Sequence, residues 1–191
     1  DEWITDIGYD LDWCKADFAE SVSSAQINPG EAWKLRGKIW EQFIHDGKFG
    51  YTYAERFNKP LYDENGDYLQ FGMNNVHNAL SRVAQELVDH PSTRQAVLPV
   101  FNADLDLPHL GGIKRVPCSL HYQFMIRKGA LEVTYVMRSS DFLTHFPYDI
   151  WMALELQGHL AHNVIGIPTG KMNFFTGSLH IYAKDADEGV F

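Results

Sequence analysis

The feature that most constrains the fold is a pair of alternating segments, SLHYQFMIR at 119–127 and ALEVTYVMR at 130–138, joined by Lys128-Gly129. In the second segment apolar residues occupy every other position, namely Leu131, Val133, Tyr135 and Met137. Alternation of this kind indicates a strand with one buried face, and a short Lys-Gly connection is typical of a tight hairpin. The chain is therefore expected to contain an antiparallel pair of strands.

Other segments carry helical, strand or turn patterns. Apolar residues recur at helical spacing over 13–26, 31–44, 74–88 and 148–164, with Pro29-Gly30 and then Gly166 and Pro168 as breaks. Residues 96–102, 173–177 and 179–183 resemble short strands, and YDENG at 62–66 resembles a turn. No repeat or linker divides the chain. We expect an α+β fold in which a mixed sheet is flanked by helices, with one long buried helix, in a single domain over 1–191.

Composition narrows the class of partner. With 16 basic and 25 acidic residues the net charge is −9, which disfavours nucleic acid and anionic membranes, although a few local arginines could hold a phosphorylated monomer. Two cysteines suit a reducing cytoplasm, no apolar run of ~20 residues is present, and we expect no signal peptide. We expect a cytoplasmic protein. Because the sequence starts at Asp1 without methionine, truncation at both ends stays open.

Two short motifs carry reactive groups. Cys118 follows Pro117 at the start of a strand, where a thiol can stand at the edge of a sheet, although a free cysteine is more often a small buried apolar residue. The turn Arg138-Ser139-Ser140-Asp141 offers a guanidinium and a hydroxyl suited to a phosphate. The alternative is an exposed polar turn after a strand.

The order of the motifs points to a family. VPCSLHYQF, MRSSD, FPYDI and GSLHIY follow one another, after IWEQF, GYTYAERF and STRQAVLPVFN. This series resembles the thymidylate synthase and pyrimidine hydroxymethylase family over residues 18–183. The resemblance implies a thymidylate synthase-like fold and a folate-dependent methyltransferase or hydroxymethyltransferase, acting on carbon 5 of a pyrimidine nucleotide monophosphate with 5,10-methylenetetrahydrofolate as cosubstrate.

The resemblance also implies a covalent mechanism. Cys118 would add to carbon 6 of the ring and turn carbon 5 into a nucleophile, because a thiolate both attacks and leaves readily. Arg138 would help to keep the sulfur ionised and, with Ser139, would bind the phosphate. Tyr53 matches the tyrosine that helps to remove the carbon 5 proton through ordered water.

Further site residues follow from the same resemblance. Glu20 aligns with the catalytic glutamate that organises water, its alternative being a glutamate on a helix surface. His180 and Tyr182 match the pair that binds the sugar hydroxyl, their alternative being an ordinary strand with polar tips. Trp40, Phe43 and Asp141 are the expected folate contacts.

One departure from the family changes the expected substrate. Asp149 stands where the synthases carry the asparagine that reads uracil. A carboxylate can accept from the amine of cytosine and stabilise a proton on its ring nitrogen, whereas an ionised carboxylate facing a uracil carbonyl costs about 1–3 kcal/mol. Bacteriophage deoxycytidylate hydroxymethylases carry Asp here, so we expect dCMP as substrate and 5-hydroxymethyl-dCMP as product. Helix N-capping is the alternative role for Asp149.

Other departures concern the folate and phosphate sites. His145 replaces a family glycine, Ser119 a histidine and Met137 a glutamine. The family's paired arginines, which reach the site from the neighbouring subunit of a face-to-face homodimer, appear here as Arg94-Gln95. Arg94 is therefore expected to serve the partner's site.

Two kinds of site find no support in the sequence. His159 and His162 lack an acidic or cysteine partner at metal-ligand spacing, and no phosphate-binding glycine loop is present. Three hypotheses remain. They are a dCMP 5-hydroxymethylase, a methylating enzyme of the same family acting on dUMP or another nucleotide, and a noncatalytic nucleotide-binding member.

Overall fold

The structure, a computed structural model, describes residues 2–69, 78–112 and 114–186. The helices are α1 (Glu2–Asp6), α2 (Leu11–Ser21), α3 (Gly37–Trp40), α4 (Tyr53–Phe57), α5 (Ala79–Asp89), α6 (Ala103–Asp106), α7 (Phe146–Gly158) and α8 (Ala183–Ala186). The strands are β1 (Val97–Pro99), β2 (Ser119–Arg127), β3 (Ala130–Met137), β4 (Ser140–Asp141), β5 (Thr169–Thr176) and β6 (Leu179–His180). Short 3₁₀ segments lie at Ala32–Arg36, Glu41–Phe43 and Leu107–His109.

The main sheet is mixed and has the order β1-β2-β3-β5. β2 pairs antiparallel with both β1 and β3, whereas β5 runs parallel to β3. Lys128 and Gly129 both have positive φ values, 52° and 76°, as a two-residue hairpin turn requires. The predicted hairpin is therefore confirmed, and β4 and β6 form a separate parallel pair beside it.

A bulge near the start of β2 changes which side chains face the core. Ser119 pairs with Met137 and His121 with Val136, so Leu120 is an extra residue on the β2 side. An extra residue reverses the alternation of side chains along a strand. As a result Ser119 faces the interior even though it is an odd number of residues from Tyr122, which is also buried.

The predicted long buried helix is present. Its α-helical part, α7, continues as a π-helical segment over His159–Ile165 and ends at Gly166, whose φ of 80° suits a glycine. Its buried residues pack against the inner face of the sheet, as members of one cluster that includes Ala153, Leu156, Leu160, Leu131, Val133 and Tyr135. This packing fixes the start of α7 beside the first residues of β2 and the last residues of β3.

The first half of the chain departs in part from the expected pattern. The predicted helix at 31–44 is divided into α3 and two 3₁₀ segments, because Arg36 (φ −123°, ψ 34°) leaves the helical conformation. Of the helix predicted at 74–88, residues 74–77 lie outside the described residues. The observed helix α5 begins after Asn78, whose side-chain oxygen accepts from the amide of Ser81 and so caps the helix. Within the described ranges, no helix is long and apolar enough to cross a membrane.

Candidate active site

A cavity of about 560 Å³ opens where α2, α4, the start of β2, β4 and the start of α7 meet. This volume is in the range of small-molecule sites. Every site residue predicted from the sequence except Arg94 lines the cavity. These residues are Glu20, Trp40, Phe43, Tyr53, Cys118, Arg138, Ser139, Asp141, Asp149, His180 and Tyr182.

Cys118 lies on the cavity wall in a polar setting. Its Sγ accepts a hydrogen bond from Ser139 Oγ at 3.5 Å. The Arg138 guanidinium lies beside it, donating to the carbonyl oxygens of Pro117 and Val116 at 3.0 and 3.2 Å. Cys14 is the opposite case, since it is fully buried and burial raises its pKa to about 12. Of the two thiols, Cys118 has the surroundings of a nucleophile.

Asp149 lies in the first turn of α7 and faces the cavity. Its Oδ2 accepts from Ser140 Oγ at 2.7 Å. Burial raises the pKa of its carboxyl to about 7, while the bond from Ser140 opposes the shift and the charge of Asp141 adds to it. The helix N-cap is His145, and the Asp149 amide donates to the His145 carbonyl within the helix. The side chain is thus held toward the cavity by Ser140 and does not cap the helix.

Tyr53 projects from α4 toward the same region. Its hydroxyl hydrogen-bonds Ser119 Oγ at 2.6 Å, and burial raises its pKa well above the usual value. Tyr51 lines the cavity nearby, and burial raises its pKa to about 12. Both tyrosines therefore stay neutral and keep their hydroxyl hydrogens at physiological pH.

Glu20 and Asp17 are two carboxylates on one face of α2 with different surroundings. Glu20 Oε1 accepts from the amides of Glu31 and Ala32 at 2.7 and 2.9 Å. A Cβ at Gly30 would lie only 2.1 Å from Glu20 Oε2, so the turn closes tightly over this carboxylate. Asp17 also lines the cavity, and burial, together with the Glu20 charge, raises its pKa to about 7. Part of the hydrogen-bonding capacity of Glu20 is thus used by the backbone.

The expected folate contacts form one wall of the cavity. The rings of Trp40 and Phe43 lie 6.0 Å apart, and the Arg115 guanidinium covers both, 5.0 and 4.4 Å from their centroids. Trp40 Nε1 is buried and has no hydrogen-bond partner among the described residues. Flat aromatic surfaces, a cation and an orphaned donor suit a planar ligand with an anionic tail, which is the character of a reduced folate. Asp141 also lines the cavity, and its Oδ1 accepts from the amide of Leu143 at 3.2 Å.

The remaining predicted residues are divided between the cavity and the surface. Pairing of β4 with β6 places His180 opposite Asp141, with the ring of Tyr182 5.1 Å from that of His180. Arg94 is exposed and precedes β1, away from the residues that line this cavity. A role for Arg94 in this chain's own site therefore finds no support in the geometry.

The cavity residues that were not predicted from the sequence include Asp17, Arg115 and Ser140. Ser140 belongs to the recognised Arg-Ser-Ser-Asp turn, and its contact with Asp149 depends on the packing of α7 beside β4. Arg115 stands three residues before Cys118, a position that a search for cations near the thiol could have found. Asp17 lies one helical turn before Glu20 on the same face of the helix, so spacing alone does not decide which of the two carboxylates serves the site.

No group of three potential metal ligands occurs among residues 2–69, 78–112 and 114–186.

Comparison with known proteins agrees with this geometry. The thymidylate synthase family model matches residues 28–189. A thymidylate synthase of Bacillus licheniformis is 26% identical over 150 residues, which cover 78% of this chain and 49% of that protein. A putative thymidylate synthase of Methanothermobacter marburgensis is 29% identical over 181 residues, covering 90% of this chain and 72% of its own. The chain spans about half the length of the Bacillus licheniformis protein.

A solved structure gives the same result for the fold. Thermostable thymidylate synthase A from Bacillus subtilis superposes with a TM-score of 0.64 at 21% identity, covering 91% of this chain and 59% of that chain. The predicted thymidylate synthase-like α+β fold is thereby confirmed. Because the family match spans most of the sequence, the chain belongs to the thymidylate synthase family.

Proposed function

We propose that this protein transfers a one-carbon unit from 5,10-methylenetetrahydrofolate to carbon 5 of a pyrimidine nucleotide, with residues 1–191 as a single catalytic domain. The observation that carries the proposal is the convergence of Cys118, Arg138 and Asp149 on one cavity. A thiol, an anion-binding guanidinium and a group that can read a base edge are the minimum that this reaction requires.

The geometry supports a role for each residue. The Cys118 thiolate attacks carbon 6, so that the electron pair of the ring double bond moves to carbon 5, which then attacks the one-carbon unit. Arg138 holds the phosphate beside Ser139, to which its Nη1 donates at 3.1 Å. Tyr53 acts at carbon 5 through water, and loss of the carbon 5 proton expels the folate amine and leaves a methylene group on carbon 5. In the favoured reaction water adds to that methylene, and the thiolate leaves from carbon 6 as the ring double bond re-forms. His180 and Tyr182 are proposed to contact the sugar.

Asp149 supports cytosine as the preferred base. With a pKa near 7, its carboxyl can supply one donor and one acceptor, which cytosine's ring nitrogen and amine require. Because Ser140 donates to Oδ2, that oxygen is held as an acceptor and the two oxygens do not exchange roles freely. The favoured reaction is therefore conversion of dCMP to 5-hydroxymethyl-dCMP, as in the bacteriophage hydroxymethylases, in the cytoplasm of the cell or phage host.

Methylation is the second candidate, and the names of the relatives favour it. The Bacillus licheniformis protein and the solved Bacillus subtilis structure are both thymidylate synthases. A methylating enzyme would leave dihydrofolate as its second product, whereas a hydroxymethylase would leave tetrahydrofolate. The second product therefore separates the two reactions independently of the base.

The sheet supports a homodimer. Phe174 packs on Tyr135 toward the core, so its neighbour Phe175 lies on the opposite face and is 60% exposed. Val97 lies on that face too, since Leu98 beside it is fully buried. Face-to-face pairing of two sheets would cover these side chains and carry Arg94 toward the partner's cavity.

Complementation tests the dimer. A mixture of the Cys118→Ser and Arg94→Ala variants should be more active than either alone, because each mixed dimer contains one site with both natural residues. If the mixture is no more active than its parts, the shared site is wrong.

The experiment that tests the function is to incubate the protein with methylenetetrahydrofolate and either dCMP or dUMP, then to weigh the nucleotide products. A hydroxymethyl gain on dCMP supports the favoured reaction, and a methyl gain or reaction with dUMP alone overturns it. Cys118→Ser is the control that should abolish both. Nucleotide binding without any product would support the noncatalytic alternative.

A further inference from the structure

A chain of three hydroxyl groups leads from the cavity into the core. The Tyr53 hydroxyl bonds Ser119 Oγ at 2.6 Å, and Ser119 Oγ bonds the Tyr135 hydroxyl at 2.5 Å. The ring of Tyr135 stacks on that of Tyr122 with centroids 4.2 Å apart. We call Tyr53, Ser119 and Tyr135 the hydroxyl chain.

The bulge in β2 makes the hydroxyl chain possible. With regular alternation, Ser119 and Tyr122 would face opposite sides of the sheet. The extra residue, Leu120, brings both side chains to the inner face, where Tyr135 of β3 lies between them. Ser119 and Tyr135 are 0% exposed and Tyr122 is 2% exposed, so water does not compete for these bonds.

The direction of the hydroxyl chain follows from its buried end. Burial raises the pKa of Tyr53, Tyr122 and Tyr135 above the ordinary value, so each hydroxyl keeps its single hydrogen. Among the described residues, Ser119 Oγ is the one hydrogen-bond partner of the fully buried Tyr135 hydroxyl. An unpaired buried donor is disfavoured by about 5- to 150-fold, so Tyr135 donates to Ser119.

The other bond then takes the same direction. Ser119, already accepting from Tyr135, donates to Tyr53. The hydrogen of Tyr53 is left to point into the cavity, where it can bond an oxygen atom. Hydrogen bonds in such a chain also polarise one another, which strengthens Tyr53 as a donor.

We propose that Ser119 and Tyr135 are positioning residues that fix Tyr53 as a hydrogen-bond donor to the water that receives the carbon 5 proton. The inference rests on the proposed one-carbon transfer. The water oxygen accepts from Tyr53 and directs its other lone pair at carbon 5. When the carbon–hydrogen bond breaks, the proton goes to that oxygen and the electron pair forms a double bond between carbon 5 and the one-carbon unit as the folate amine leaves, with Cys118 still bonded to carbon 6.

The experiment separates this step from the earlier ones. A nucleotide with deuterium at carbon 5 reports release of the carbon 5 hydrogen, by mass spectrometry. A 5-fluoro nucleotide with methylenetetrahydrofolate reports attack by Cys118 and bond formation at carbon 5, because fluorine does not leave as a cation and the adduct accumulates. We expect Ser119→Ala and Tyr135→Phe to slow deuterium release by roughly 100-fold while the adduct forms at the wild-type rate.

One more variant tests the hydroxyl itself. Ser119→Thr restores a hydroxyl and should recover most of the deuterium release. A rate in Ser119→Thr as low as that in Ser119→Ala would overturn the role of the Ser119 hydroxyl.

The outcomes distinguish this inference from the function on which it rests. Wild-type deuterium release in both Ser119→Ala and Tyr135→Phe, or an equal slowing of adduct formation and release, would overturn the positioning role while leaving the proposed function intact. Failure of the wild-type protein to form an adduct or release deuterium would instead overturn the proposed function, and the inference with it.

Discussion

Replacing Asp149 by asparagine should change which base the protein accepts. The Asp149 carboxyl is held by Ser140 at 2.7 Å and its pKa is raised to about 7, mainly by burial. Asparagine can place its amide nitrogen at the Oδ2 position, where Ser140 Oγ accepts from it, and its oxygen at the Oδ1 position. The Asp149→Asn variant therefore presents the pattern that uracil requires, with almost no change of shape.

The size of the effect follows from one mismatched hydrogen bond. A buried polar group left unpaired costs about 1–3 kcal/mol, which corresponds to about 5- to 150-fold in kcat/KM. The ratio of kcat/KM for dCMP to that for dUMP should therefore fall at least ~5-fold in Asp149→Asn. The variant should still form the covalent adduct, because Cys118 is unchanged.

The assay is direct competition. Equal amounts of dCMP and dUMP are incubated with methylenetetrahydrofolate, and both products are quantified by mass spectrometry. Asp104→Asn makes the same chemical change at an exposed position on α6 and serves as the control. If Asp149→Asn stays active with the same product ratio as wild type, Asp149 does not select the base.

Three further predictions concern the carboxylates. Asp17→Asn should lower kcat/KM by roughly 10-fold or more, whereas Glu20→Gln should chiefly lower the melting temperature; the reverse result would support the water-organising role expected for Glu20. Asp106→Ala should reduce the free energy of unfolding in urea by about 3–5 kcal/mol, because it leaves the buried Arg56 without its 2.6 Å partner; a loss below 1 kcal/mol would contradict this. Because folding raises the pKa of both Asp17 and Asp149 to about 7, the folded state binds their protons more tightly, and their contribution to stability falls as pH rises from about 4 to 7. The Asp17→Asn/Asp149→Asn double variant should lose this fall in denaturation curves measured across that range, and an unchanged slope would refute it.

The sequence predicted most reliably what depends on local pattern. The hairpin between β2 and β3 follows from alternation and the Lys128-Gly129 turn, and the long helix follows from an apolar run ended by Gly166. The prediction of one continuous helix at 31–44 was wrong, because the spacing of apolar residues does not reveal the break in backbone conformation at Arg36. Propensity is a weak prior where tertiary contacts decide the backbone.

The site was predictable as a set of motifs and not as a set of contacts. Family resemblance placed Cys118 and Asp149 at one cavity before any geometry was known. Which carboxylate of α2 is free depends on the turn at Gly30 folding back over Glu20, a contact between segments that no spacing shows. The hydroxyl chain likewise depends on the bulge in β2, which leaves no mark on the sequence around Ser119.

The most direct test of the proposed mechanism is the mass of the intact protein after incubation with methylenetetrahydrofolate and a 5-fluoro pyrimidine nucleotide. We predict a gain equal to one nucleotide plus one folate on each modified chain, located on the peptide that contains Cys118, with a larger modified fraction for 5-fluoro-dCMP than for 5-fluoro-dUMP. No gain in mass, or a gain that persists in Cys118→Ser, would contradict covalent one-carbon transfer by this cysteine.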